Sequence, residues 1–162
     1  EKIQNERIPV LACESACIRG DIARLAANIV AAEAPFARVC YAETAFVPHS
    51  SMARWVKEAK HVVMINGCFL KCFGRVLNNL VDPRKITHID ALPLYNKYTD
   101  VFYMGDVPEA EREETARQVA DKILPELRAS VAFQRATTEV RVTPIALQDE
   151  AGQECDGSCA DS

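Results

Sequence analysis

Six of the seven cysteines in this 162-residue chain fall into three pairs of one spacing, C-x-x-x-C: Cys13 with Cys17, Cys68 with Cys72, and Cys155 with Cys159, leaving Cys40 alone. Thiolates ligate soft metals and attack disulfides, so the chemistry on offer is metal binding or thiol redox work. An odd cysteine count in a chain of this size, with no secretory signal pattern at EKIQNERIPV, points to that chemistry before a disulfide framework. In CESAC and CFLKC the first cysteine falls in an expected strand-to-helix turn, and the second falls near the first helical turn. One turn of helix would bring both sulfurs to one face. Free amide N–H groups there favour thiolate, moving a cysteine pKa from about 8.5 toward roughly 3.5 to 7.5. Two facing pairs supply enough sulfur for a tetrahedral zinc site or for an iron–sulfur cluster, and the spacing does not choose between them.

A repeated strand–helix pattern has to position these thiols. Ile8–Ala12 is an apolar run ahead of Cys13, and Ile18–Ala32 continues with helical periodicity. Ala37–Tyr41 is expected as a second strand, followed by a helix through SSMARWVKEA capped by Ser50 or Ser51. HVVMING reads as a buried parallel strand, with Gly67 allowing a sharp turn into a helix through CFLKCFGRVLNNL. Ile86–Ala91 is a fourth strand, and a loop with Pro93, Tyr95 and Tyr98 follows it. A helix from Pro108 to about Phe133 opens on Glu109, Glu111, Glu113 and Glu114, which suits the positive end of its dipole, and Pro125 should kink or divide it. Glu139–Ile145 alternates like an edge strand.

Strands alternating with helices predict an α/β domain over residues 1–147. The expected architecture has three layers, a mostly parallel sheet of about four to five strands with helices on both faces, Rossmann-like or flavodoxin-like. Residues 148–162 are expected to form a flexible polar tail carrying the third cysteine pair. Its repeated spacing suits a metal-handling or thiol-exchange arm, whereas Glu154 and Asp156 disfavour thiolate there. In parallel sheets ligands sit beyond the carboxyl ends of the strands, where Cys13 and Cys68 should both emerge.

The net charge of −4 gives no support to binding of nucleic acid or an anionic membrane. No apolar run approaches the roughly 20 residues that span a bilayer, so a cytoplasmic location is expected. The phosphate-binding, nucleophile-elbow and zinc-helix motifs G-x-G-x-x-G, G-x-S-x-G and H-E-x-x-H are absent. His49 is the one histidine to consider as a ligand or proton carrier, with His61 and His88 structural. Glu43 and Asp90 are candidate polar neighbours, and Arg19 and Lys71 candidate counter-charges.

In VVMINGCFLKC the chain resembles the DGC-domain family of cysteine-rich, zinc-binding proteins, named for an Asp-Gly-Cys motif after a central strand. Asn66, Gly67 and Cys68 stand for that motif, with Asn in place of Asp, and Cys72 for the downstream cysteine. VLACESA with Cys13 and ARVCYAETAF with Cys40 extend the likeness over roughly Pro9 to Asp106. The resemblance implies metal ligands at Cys13, Cys40, Cys68 and Cys72, with Cys17 a fifth thiol, and no transferable enzymatic activity. The pair pattern by itself groups Cys13, Cys17, Cys68 and Cys72, and leaves Cys40 as a residue of the core. The implied partners are a metal ion, zinc or the iron of a cluster, and a protein partner for metal, electron or sulfur transfer.

Overall fold

The computed structural model describes residues 7–139. Along the chain run β1 (Ile8–Ala12), α1 (Ile18–Ala32), β2 (Phe36–Arg38), α2 (Tyr41–Phe46), α3 (Ser51–Glu58), β3 (Val62–Asn66) and α4 (Cys72–Leu77). They are followed by β4 (Ile86–Asp90), α5 (Leu92–Tyr95) and α6 (Glu109–Glu139). The four strands form one sheet in the order β2-β1-β3-β4, and every pairing is parallel. This is the expected α/β class.

Strands β1 and β3 are buried along their whole length, which explains their unbroken apolar sequences: both faces of a central parallel strand are covered. On one face Val10, Ala12, Val63 and Ile65 pack with α1 and α6. On the other, Leu11, Val62 and Met64 pack with Val56 of α3, Leu77 of α4 and Tyr41. Each such side chain contributes about 1.5–3 kcal/mol when fully buried. The register between β1 and β3 is therefore fixed from two sides.

Several elements depart from the sequence reading. The second strand ends at Arg38, and the chain then enters α2, a helix that the apolar pattern did not reveal. Cys40 is its N-cap and is exposed, not a core residue. Cys17 precedes α1, and Cys72 opens α4 after Cys68 has left β3. Neither pair therefore lies along a helical face. Ser50 caps α3 by accepting from the Ala53 amide at 3.0 Å, as expected.

Helix α6 runs unbroken through Pro125. Pro125 is exposed while Ile123 and Leu127 on either side are buried, so packing holds the helix where one backbone hydrogen bond is lost. Arg112 bonds Asp21 in the first turn of α1, and Arg128 pairs with Glu33 just past its end at 2.7 Å, so α6 runs alongside α1. Asp21 is only 3% exposed and is also held by Arg24 at 2.6 Å. Glu139 belongs to α6 and not to a strand. The remainder of the expected edge strand, and the third cysteine pair, lie outside the described residues. Among the described residues no helix is long and apolar enough to cross a membrane.

Candidate functional site

The strand order reverses between β1 and β3, and such a switch point opens a crevice beyond the carboxyl ends of the strands. Cys13 follows β1 directly, with its amide bonded to the Ile65 carbonyl at 2.9 Å, and Cys40 and Cys68 follow the ends of the two neighbouring strands. Three cysteines thus stand at adjacent strand ends along one edge of the sheet, where strands are spaced about 4.8 Å apart.

Cys13 is buried, Cys17 and Cys68 are half-buried, and Cys40 and Cys72 are exposed; all five are free thiols. Burial pushes the Cys13 thiol up, against its hydrogen bond with the Ser15 side chain and those from the backbone of Ser15 and Gly67. Cys72 adds a smaller upward push. For Cys13, desolvation thus outweighs the lowering expected from a helix start.

Ser15 is a site residue that the cysteine spacing did not reveal. Cys13 Sγ donates to Ser15 Oγ at 3.4 Å, and the same oxygen shares a hydrogen bond with Cys17 Sγ at 3.0 Å. One hydroxyl therefore bridges the pair that a helical turn was expected to align. A Cβ on Gly20 would lie 2.1 Å from Ser15 Oγ, so the glycine makes room for it. Five residues of spacing between Ser15 and a glycine inside α1 is the only sequence sign of this contact.

Two tyrosines near the cysteine-bearing segments are buried. Tyr41, next to Cys40, donates its hydroxyl to the Phe73 carbonyl, next to Cys72, at 2.7 Å, with the rings edge-on at 4.7 Å. Its phenol is pushed up to about 12 by burial, then by the charges of Cys13, Cys72 and Glu14. Tyr95 is raised by burial against the opposing charge of Arg19, and Cys17 and Cys68 raise it further. Its hydroxyl is buried and has no hydrogen-bond partner among the described residues. Among the described residues, no three Cys, His, Asp or Glu side chains stand close enough together to hold an ion. His49 is exposed in the turn between α2 and α3.

The sequence pattern of the DGC domain matches residues 9–123, from β1 into α6. The chain belongs to the DGC domain family. No curated protein and no solved structure matches it.

In this DGC domain the motif position held by Asn66 is buried, and its amide nitrogen donates to His88 Nδ1 at 3.4 Å, the Ile89 carbonyl at 3.4 Å and Asp90 at 3.3 Å. His88 Nε2 bonds Asn78 Oδ1 at 2.9 Å, which makes it the protonated nitrogen and leaves Nδ1 to accept. Three acceptors converge on one position, so an amide suits it where a carboxylate would face them uncompensated. Burial first, and then Lys71, lower the His88 pKa against the pull of Asp90.

The motif glycine, Gly67, is there for proximity. A Cβ would lie 2.7 Å from the Arg19 carbonyl oxygen, in the residue before Gly20. The left-handed residue of the turn is instead Lys71, at φ 50, whose ammonium pairs with Asp90 at 2.7 Å. Glu43 lends its amide to the Cys40 sulfur at 3.5 Å, and Arg19 ties the loop before α6 to α1 through the carbonyls of Tyr98 and Thr99. Arg19 thus engages backbone oxygens.

Proposed function

We propose that the protein binds a soft metal ion, zinc foremost, through Cys13, Cys40, Cys68 and Cys72 at the carboxyl edge of the sheet, for metal trafficking or sensing. The observation that carries this reading is the arrival of Cys13, Cys40 and Cys68 just past adjacent strand ends, with the Tyr41 hydroxyl tying the residue after Cys40 to the residue after Cys72 at 2.7 Å.

The donor chemistry fits: thiolates suit zinc and comparable soft ions, and bound zinc would supply cross-linking of the three strand ends and hold its ligands deprotonated. Amide N–H groups already directed at the Cys13 sulfur are the interactions that stabilise a ligating thiolate. Closing the ligand set requires Cys40 and Cys72 to turn inward, and both are exposed side chains of the kind that change rotamer rapidly.

The test is elemental mass spectrometry with a visible spectrum, on protein purified anaerobically and without a metal-affinity column. About one zinc per chain supports the thiolate site. Iron with acid-labile sulfide replaces it with an iron–sulfur centre, and absence of both metals under loading conditions overturns the proposal.

A further inference from the structure

The geometry points to Cys17 as a site of oxidation by hydroperoxides, with Cys13 as the thiol that resolves it into a Cys13–Cys17 disulfide. Both sulfurs hydrogen-bond the same Ser15 oxygen, at 3.4 Å and 3.0 Å, so they cannot lie farther apart than these two contacts laid end to end. Displacing one hydroxyl brings them together. The backbone at Cys17 is held by a bridge to Tyr103 and by the Ile18 amide on the Phe102 carbonyl at 3.1 Å. The thiol is accordingly presented at a fixed place beside Cys13.

The pair is asymmetric in the way such chemistry requires. Cys17 is half-buried, and the neighbouring Phe102 and Tyr103 side chains are turned to solvent, so a small oxidant has access. Cys13 is buried.

In the first step the Cys17 thiolate attacks the peroxide; the O–O bond breaks, an S–O bond forms, and the oxidant leaves as hydroxide and takes up a proton as water. In the second, the Cys13 sulfur attacks the sulfenic sulfur of Cys17; the S–S bond forms, the S–O bond breaks, and the Cys13 proton departs with the hydroxyl as water. Ser15 Oγ, already the acceptor of the Cys13 proton, lies between the two. The thiol pair is oxidised by two electrons and the peroxide is reduced by two. If Cys13 is a metal ligand, as proposed above, the disulfide removes it from the ion; this consequence alone rests on that reading.

The test treats the full chain, with and without zinc, with stoichiometric hydrogen peroxide, then blocks free thiols and maps disulfide peptides. Cys13–Cys17 is expected as the first disulfide in metal-free protein, lost in Cys17→Ser and slowed in Ser15→Ala with sulfenic acid accumulating at Cys17. A different first pair, or a Cys17 that stays reduced while other thiols react, overturns the inference. Zinc-loaded protein is expected to release one ion per disulfide. A protein that binds no zinc but closes this disulfide refutes the metal reading alone; one that binds zinc but closes another pair refutes the inference alone.

Discussion

The Tyr41 hydroxyl donates to the Phe73 carbonyl at 2.7 Å, fastening α2 to α4 one residue beyond Cys40 and one residue beyond Cys72. Tyr41→Phe keeps the ring and its edge contact with Phe73 while leaving the carbonyl unpaired. Loss of this bond should cost about 1 kcal/mol in denaturant unfolding of the metal-free protein. A competition titration should show zinc bound more weakly at unchanged stoichiometry.

The ligand set is separable by substitution. Cys40→Ser should abolish tight binding of zinc, whereas Cys17→Ser should leave about one ion per chain, because Cys17 lies outside the proposed ligand set of Cys13, Cys40, Cys68 and Cys72. The reverse outcome in elemental analysis would exchange the roles of these two thiols.

Gly67→Ala would drive a methyl group to 2.7 Å from the Arg19 carbonyl oxygen, backbone that no rotamer change can relieve. Overpacking of this kind costs roughly 1–3 kcal/mol. The amide bonded to the Cys13 sulfur would move with the turn. A lower thermal midpoint together with faster alkylation of Cys13 would report both effects.

His88 is held below the ordinary imidazole value of 6.5 by burial and Lys71. The folded state therefore binds fewer protons than the unfolded chain in the interval between the two pKa values, and stability rises with pH there. The contribution is fully present above 6.5 and is lost as pH falls through the lower folded value. His61, lowered by burial and Lys60, acts in the same direction. Metal-free His88→Gln should show a shallower dependence of unfolding free energy on pH across this interval, and NMR titration should locate the His88 midpoint below 6.5.

Arg112→Ala would leave the carboxylate of Asp21, 3% exposed, with Arg24 as its remaining ion-pair partner. Breaking a buried pair costs about 3–5 kcal/mol. The expected readout is a matching fall in unfolding free energy, with exchange of α6 backbone amides accelerated ahead of those in β1 and β3.

Strong local signals were legible in the sequence. Ile8–Ala12 and Ile18–Ala32 form as read, because a doubly covered strand must be apolar throughout and a one-sided helix must be periodic. Helix α2 escaped notice since its six residues bury only Tyr41 and Thr44, too few to establish a period. The division expected at Pro125 did not occur because burial of Ile123 and Leu127 outweighs one missing hydrogen bond.

The sequence by itself determined the parallel α/β architecture, the family and the emergence of Cys13 and Cys68 at one edge, since periodicity and spacing are local properties of the chain. Only the tertiary structure decided which thiols are neighbours. The Tyr41 bond to Phe73 and the close approach of Gly67 to Arg19 join segments through strand order and packing. Residues far apart in the chain become adjacent when β3 inserts beside β1, and a one-dimensional pattern carries no term for that distance.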